Sequence, residues 1–187
     1  MYRQRLLSLF LSLLFWLPGY SQAIEVTGSR NAVRTTGDII AIAIPVACGI
    51  TTYALKDWDG MKQGVLAGAS SVGVVAVLKL VIDKERPDKS NYNSFPSMHS
   101  AISFTGAAFI QKRYGWKWGI PAYTAASFVG WSRVYGKKHD WWDVATGATL
   151  GIASAYIFTQ PFAEKYNFSL APSAGSRHIG IHASIQF

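Results

Sequence analysis

Residues 65–82 read VLAGASSVGVVAVLKLVI, and this stretch decides the fold. It carries one charge, Lys79, and no alternation of apolar and polar positions. A half-buried strand alternates over four to eight residues, so a run this long and continuous reads as a helix. Residues 39–55, 101–110, 118–131 and 144–158 have the same character. The glycines within 64–73 and 147–151 fall inside these segments, where small residues let helices approach closely rather than cradle a phosphate. The expected fold is all-α, a bundle of five or six apolar helices. The tail differs: from His178 to Phe187, Ile179, Ile181, Ala183, Ile185 and Phe187 alternate with polar or small residues. That period of two predicts one strand with a single apolar face, packed on the helices or paired with another chain. His178 and His182 share a face about 13 Å apart, too far for one metal ion, and read as solvent-exposed polar residues.

The chain has 187 residues, enough for one domain with a sizeable core. Half of them are apolar, which excludes disorder, and Cys48 is the single cysteine, which excludes a disulfide scaffold. Arg3 and Arg5 precede an apolar run over 6–17, then Pro18-Gly19 and the small residues of 21–23. This is the order of a secretory signal, and a run of twelve residues falls short of the roughly 20 a membrane span needs. Residues 1–23 are therefore expected to be a cleaved signal, or else an uncleaved anchor. A helical domain over 24–168 and a tail over 169–187 would follow. The address implied is the bacterial cell envelope, with the functional end facing the periplasm.

Loss of 1–23 takes two arginines from the net charge of +8 and leaves +6. Such an excess invites a nucleic-acid reading, but no supporting motif is present. Segments 39–55 and 65–82 are long enough for a thin bilayer. Trp116, Trp118, Trp131, Trp141 and Trp142 fall at segment ends, where interfacial aromatics belong. The alternative is a soluble helical core capped by those tryptophans, and a mean hydropathy of +0.16 lies between the two. A membrane-embedded or membrane-apposed bundle is expected.

Three clusters lie in the polar stretches between the helices. Lys79 is followed after six residues by Arg86-Pro87; next comes Pro96-Ser97-Met98-His99; last, Ser132-Arg133, five residues, His139, three residues, Asp143. Singly, each reads as a helix-end lysine, an ordinary helix start or a surface pair. Together they supply what phosphoryl transfer needs. A phosphate oxyanion wants donors and positive charge where water is excluded, and Lys79, Arg86 and Arg133 are three cations, two of them able to bind in bidentate fashion. Ser97 at a helix start adds a hydroxyl. His139 and Asp143 share a face if a helix begins near Asp140, so the carboxylate can hold one imidazole N–H and leave the other nitrogen as nucleophile. His99 is then available to protonate the departing oxygen. No metal and no cofactor is called for.

These clusters resemble those of the type 2 phosphatidic acid phosphatase family, which also includes bacterial class A acid phosphatases and vanadium haloperoxidases. The first and third match the family pattern completely; in the second, Met98 stands where the family has Gly, leaving Ser97 and His99 in place. The resemblance covers residues 79–143. It implies a helical bundle and a phosphohistidine formed on His139, with Asp143 orienting that ring. His99 would act first as acid and then activate water, while Lys79, Arg86, Ser97 and Arg133 bind the phosphate.

The function expected is hydrolysis of a phosphomonoester or diphosphate of a lipid: phosphatidate, phosphatidylglycerophosphate, undecaprenyl diphosphate or lipid A. Two alternatives are a soluble periplasmic acid phosphatase and a non-catalytic membrane protein with a relic site. Vanadate-dependent haloperoxidation is disfavoured by the short chain, which has little room to shape a halide and peroxide pocket.

Overall fold

A computed structural model describes residues 25–162 and two strands beyond them, Asn167–Gly175 and His178–Gln186. The signal or anchor expected over 1–23 lies outside the described residues. Five helices follow in order: α1 (Ser29–Ala54), α2 (Trp58–Val81), α3 (Met98–Tyr114), α4 (Trp116–Tyr135) and α5 (Trp141–Phe158). The all-α bundle is as expected, and five helices account for the five apolar segments. Each helix is longer than its apolar run, because polar residues at the ends continue the same hydrogen-bonded ladder. The largest extension is at α1, which starts ten residues ahead of position 39 and so brings Arg34 and Asp38 into the helix.

Helix α3 is the axis of the bundle and packs on the other four helices. It can do so because its buried positions are small: Ser100, Ala101, Ser103, Thr105, Gly106, Ala107 and Ala108 surround a single large core ring, Phe109. Helix α5 comes closest. A Cβ on Gly147 would overlap the carbonyl oxygen of Ser97, and one on Gly151 the carbonyl oxygen of Ala101. These two glycines, one helical turn apart, let the two backbones touch, as expected for small-residue packing. The glycines of α2 behave differently. Gly64 meets Phe109 at 3.4 Å, but Gly68 and Gly73 have nothing within 4 Å, so close packing explains only the first of them.

At the end of α3 away from its start, a buried ion pair joins three elements. Arg113 holds both carboxylate oxygens of Asp57, at 2.7 and 2.5 Å, and donates to the Gln160 carbonyl at 2.8 Å. Asp57 also caps α2 through Gly60 N–H and accepts from Tyr114. The pair thereby ties the α1–α2 corner to the exits of α3 and α5.

The expected tail strand is present, and its partner is the chain itself. Residues 167–175 pair antiparallel with 178–186, Asn167 opposite Gln186 and Gly175 opposite His178. Pro172 stands inside the first strand, where proline argues against a strand reading, which is why only the second was legible.

Replacing Gly151 with Ala is expected to lower stability by about 2 kcal/mol, because α5 must move off the Ala101 carbonyl. Gly68→Ala faces open space within a helix and is expected to add about 0.5–1 kcal/mol. Thermal unfolding in detergent checks both signs.

Candidate active site

The three sequence clusters meet at the end of the bundle where α2 finishes and α3 and α5 begin. Asp140 caps α5, so the helix starts where the spacing of His139 and Asp143 required. Asp140 and Asp143 form a reciprocal capping box: Asp143 N–H donates to Asp140 Oδ1 at 3.0 Å, and Asp140 N–H to Asp143 Oδ2 at 3.2 Å. His139, just ahead of the cap, is 3 % exposed and Asp143 fully buried. Its Nδ1 lies 3.4 Å from Asp143 Oδ2. That is close enough for the charge to be felt, but the N–H is not aligned for a full hydrogen bond, and Nδ1 has no other partner. Such contacts commonly tighten when a substrate binds.

Burial pushes the pKa of His139 down from its ordinary value, and the charges of Arg86 and Lys79 add to that against the pull of Asp143. The ring is thus neutral at neutral pH, with a lone pair to offer. Burial alone would raise the Asp143 pKa. Contacts from His139, Lys84, Ser94 and the Asp140 N–H outweigh it and hold the carboxyl well below the usual carboxylate range.

Lys79 and Arg86 converge on one acceptor. Lys79 Nζ donates to the Asn93 carbonyl at 2.8 Å and Arg86 Nη2 to the same oxygen at 3.4 Å, while Arg86 Nε is held by Asn91 Oδ1 at 2.8 Å. The loop after α2 folds back on itself for this, with Lys84 N–H on the Tyr92 carbonyl and Ser94 N–H on the Lys84 carbonyl. Ser97 caps α3 as expected. Its hydroxyl accepts from Ser100 N–H at 3.4 Å and Ser100 Oγ at 3.0 Å, which leaves its own proton to donate. Its backbone N–H binds the Asp143 carbonyl at 3.0 Å, joining the second cluster to the third.

His99 and Arg133 stand together on the α1 side. His99 Nε2 is 2.9 Å from Asp38 Oδ1, and the Arg133 guanidinium binds the same oxygen and the Arg34 carbonyl. His99 feels the charges of Arg133, Arg86 and His139, so the two groups of residues share one electrostatic field. All seven expected residues therefore gather at one end of the bundle. Among the described residues no cluster of side chains is suited to hold a metal ion.

Four residues were missed. Lys84 bridges Asp140 Oδ2 and Asp143 Oδ1 at 2.5 and 2.7 Å, and Ser94 Oγ donates to Asp143 Oδ2. Asp140 and Asp38 complete the set. Lys84 and Ser94 sit between motif positions and look like ordinary loop residues. Asp38 lies 41 residues ahead of Lys79 in what reads as the approach to an apolar segment, and no local signal marks it.

Residues 63–166 match the family profile described as the PAP2 superfamily, which is more than half of the chain. The chain belongs to the PAP2 superfamily. Over 98% of its length it is 27% identical to all of the lipid A 4'-phosphatase of Helicobacter pylori. It is 33% identical to the lipid A 1-phosphatase of Porphyromonas gingivalis, over 62% of this chain and 28% of that protein. The crystal structure of Aquifex aeolicus LpxE superposes with a TM-score of 0.61 at 21% identity, covering 68% of this chain and 83% of that one. A transmembrane PAP2 type phosphatidylglycerolphosphate phosphatase from Bacillus subtilis superposes with a TM-score of 0.54 at 26% identity, over 69% and 72% of the two chains. The PAP2 match spans all three clusters and both loops that tie them together.

Lys84→Met removes the cation between two carboxylates of this PAP2 site. Hydrogen bonds to charged groups contribute about 1.5–3 kcal/mol, so a loss of about 2 kcal/mol in thermal unfolding is expected. Lys84→Arg should recover most of it.

Proposed function

We propose that this chain is a lipid phosphatase that removes a phosphate from a lipid A-type phosphomonoester at the periplasmic face of a membrane. The observation that carries the reading is the buried, neutral His139 beside Asp143, facing Arg86 and Lys79, with His99 and Arg133 across the same opening. In this reading His139 Nε2 attacks phosphorus and forms the N–P bond while the ester P–O bond breaks. His99 gives its proton to the departing oxygen and then takes one from the water that hydrolyses the phosphohistidine. Lys79, Arg86, Ser97 and Arg133 would hold the phosphate oxygens and the charge that builds on them. Full-length similarity to a protein named for lipid A 4'-phosphate hydrolysis supports lipid A over the other lipids considered.

The outer faces of α1 and α2 support a lipid setting over a soluble acid phosphatase. Both helices are long and apolar enough to cross a membrane. Ile39, Ile42, Val46 and Ile50 on α1 and Leu66, Val77 and Leu80 on α2 are each more than half exposed, a surface that water would penalise. At the site end, Trp141 and Trp142 are 60 and 77 % exposed, as rings at a headgroup boundary are. Residues 1–23, as signal or anchor, would direct this end to the periplasm.

His139→Ala is expected to cut phosphate release from purified lipid A by at least about 10³-fold. Release unchanged by that substitution would remove His139 as nucleophile. For the native protein, the neutral ring is the reactive form and its pKa is lowered. The acid limb of kcat/KM is therefore expected below the ordinary histidine value near 6.5, activity being lost as the pH falls through it.

A further inference from the structure

Helix α1 carries none of the three sequence clusters, yet it is pinned at the site. A Cβ on Gly37 would overlap Ser132 Oγ and stand 2.5 Å from Arg133 Nη2, so the α1 backbone lies directly on the end of α4. Arg133 donates to the Arg34 carbonyl, and Arg30 Nη1 to the Tyr135 carbonyl at 3.3 Å, with the Arg30 guanidinium over the Tyr135 ring. This docking sets Asp38 2.9 Å from His99 Nε2. A carboxylate on one imidazole nitrogen fixes the ring and presents the opposite nitrogen, the relation Asp143 has to His139 on the other side of the opening.

We propose that Asp38 is a positioning residue that holds His99 by Nε2 and aims Nδ1 at the leaving-group oxygen. The proposal rests on the reading of His99 as general acid. Of the groups that face His99, Arg133 on α4, Arg86 in the loop after α2 and His139 ahead of α5 repel its proton, as burial does. Asp38 on α1 draws the proton on, but burial and those charges outweigh it and the pKa lies below its ordinary value. As the ester P–O bond breaks, its electron pair stays on the leaving oxygen and takes the Nδ1 proton. An alcohol and a neutral imidazole result, while the Nε2–P bond forms on His139. In the second half His99 takes a proton from water, whose oxygen bonds to phosphorus as the N–P pair returns to His139.

The alternative is that Asp38 merely tethers Arg133, and the leaving group tells the two apart. An alkoxide-type leaving group needs a proton, whereas p-nitrophenolate departs nearly unaided. Full-length Asp38→Asn and Asp38→Glu proteins in detergent would be assayed on lipid A and on p-nitrophenyl phosphate. Asp38→Asn is expected to lower kcat about 100-fold on lipid A, with KM within about threefold, and less than about fivefold on p-nitrophenyl phosphate. The basic limb of its kcat profile should move to lower pH, since the active protonated ring has lost its counter-charge. Asp38→Glu should regain part of the rate, and His99→Ala should show the same dependence on leaving group. Because each variant is judged by the ratio of two substrates on one sample, loss of folded protein cancels. An equal loss on both substrates with a raised KM and an unmoved basic limb would overturn the proposal and leave Asp38 as a tether of Arg133. Phosphate release from neither substrate by the native protein would sink the phosphatase reading itself, and this inference with it.

Discussion

Everything at the functional end turns on the buried carboxylate of Asp143. Its side chain takes the Lys84 ammonium and the Ser94 hydroxyl from the loop after α2, and the Asp140 N–H from the cap of its own helix. Its carbonyl takes Ser97 N–H at the start of α3, and His139 Nδ1 stands 3.4 Å from Oδ2, the oxygen that already accepts from Ser94 and Asp140. One residue thus receives donors from each of the three segments that carry the sequence clusters. A carboxylate in a fully buried position is costly unless its lone pairs are filled, so the loops must close around it for the fold to be stable. The stability of this end and the assembly of the site are the same event.

The close contact of α3 and α5 makes that closure possible. Gly147 and Gly151 let the α5 backbone touch the carbonyls of Ser97 and Ala101, which sets the start of α5 directly against the start of α3. A rigid site follows from backbone contact more surely than from side-chain packing, because backbones have no rotamers to exchange. At the opposite end the Asp57–Arg113 pair gives the bundle a second fixed point. Between the two ends the core is mostly small side chains around Ile44, Val75, Phe109 and Val129, and α1 and α2 keep most of their large apolar residues on the outside. That inversion of the usual soluble pattern suits a solvent of acyl chains, where packing of small residues rather than burial of large ones holds helices together.

Charge is arranged around this frame in two layers. Lys79 and Arg86 lean on a single loop carbonyl, a neutral partner, and among the described residues neither hydrogen-bonds a carboxylate, although both feel the Asp143 charge. Arg133 and His99 share a carboxylate from α1, which moderates one side of the opening. Burial first, and then the Arg86 and Lys79 charges, lower the proton affinity of His139 against the pull of Asp143, which suits the residue proposed as nucleophile.

Residues 65–82 and their counterparts announced helices because apolar runs this long outlast a buried strand, and the cluster spacings named the seven candidate side chains. Local rules also set the start of α5, since Asp140 is a good cap and His139 and Asp143 need one turn between them. What stayed hidden were contacts between segments far apart in the chain. Lys84 and Asp143 are 59 residues apart, and Asp38 and Arg133 are 95 apart; no periodicity links such positions. The partner of the terminal strand was hidden because Pro172 stands inside it and argues against a strand. Sequence by itself determined the elements, the family pattern and the chemistry on offer, because these depend on neighbours a few residues away. Tertiary structure alone decided which carboxylate answers which cation, because only the packing of α1 on α4 and of α3 on α5 brings them within reach.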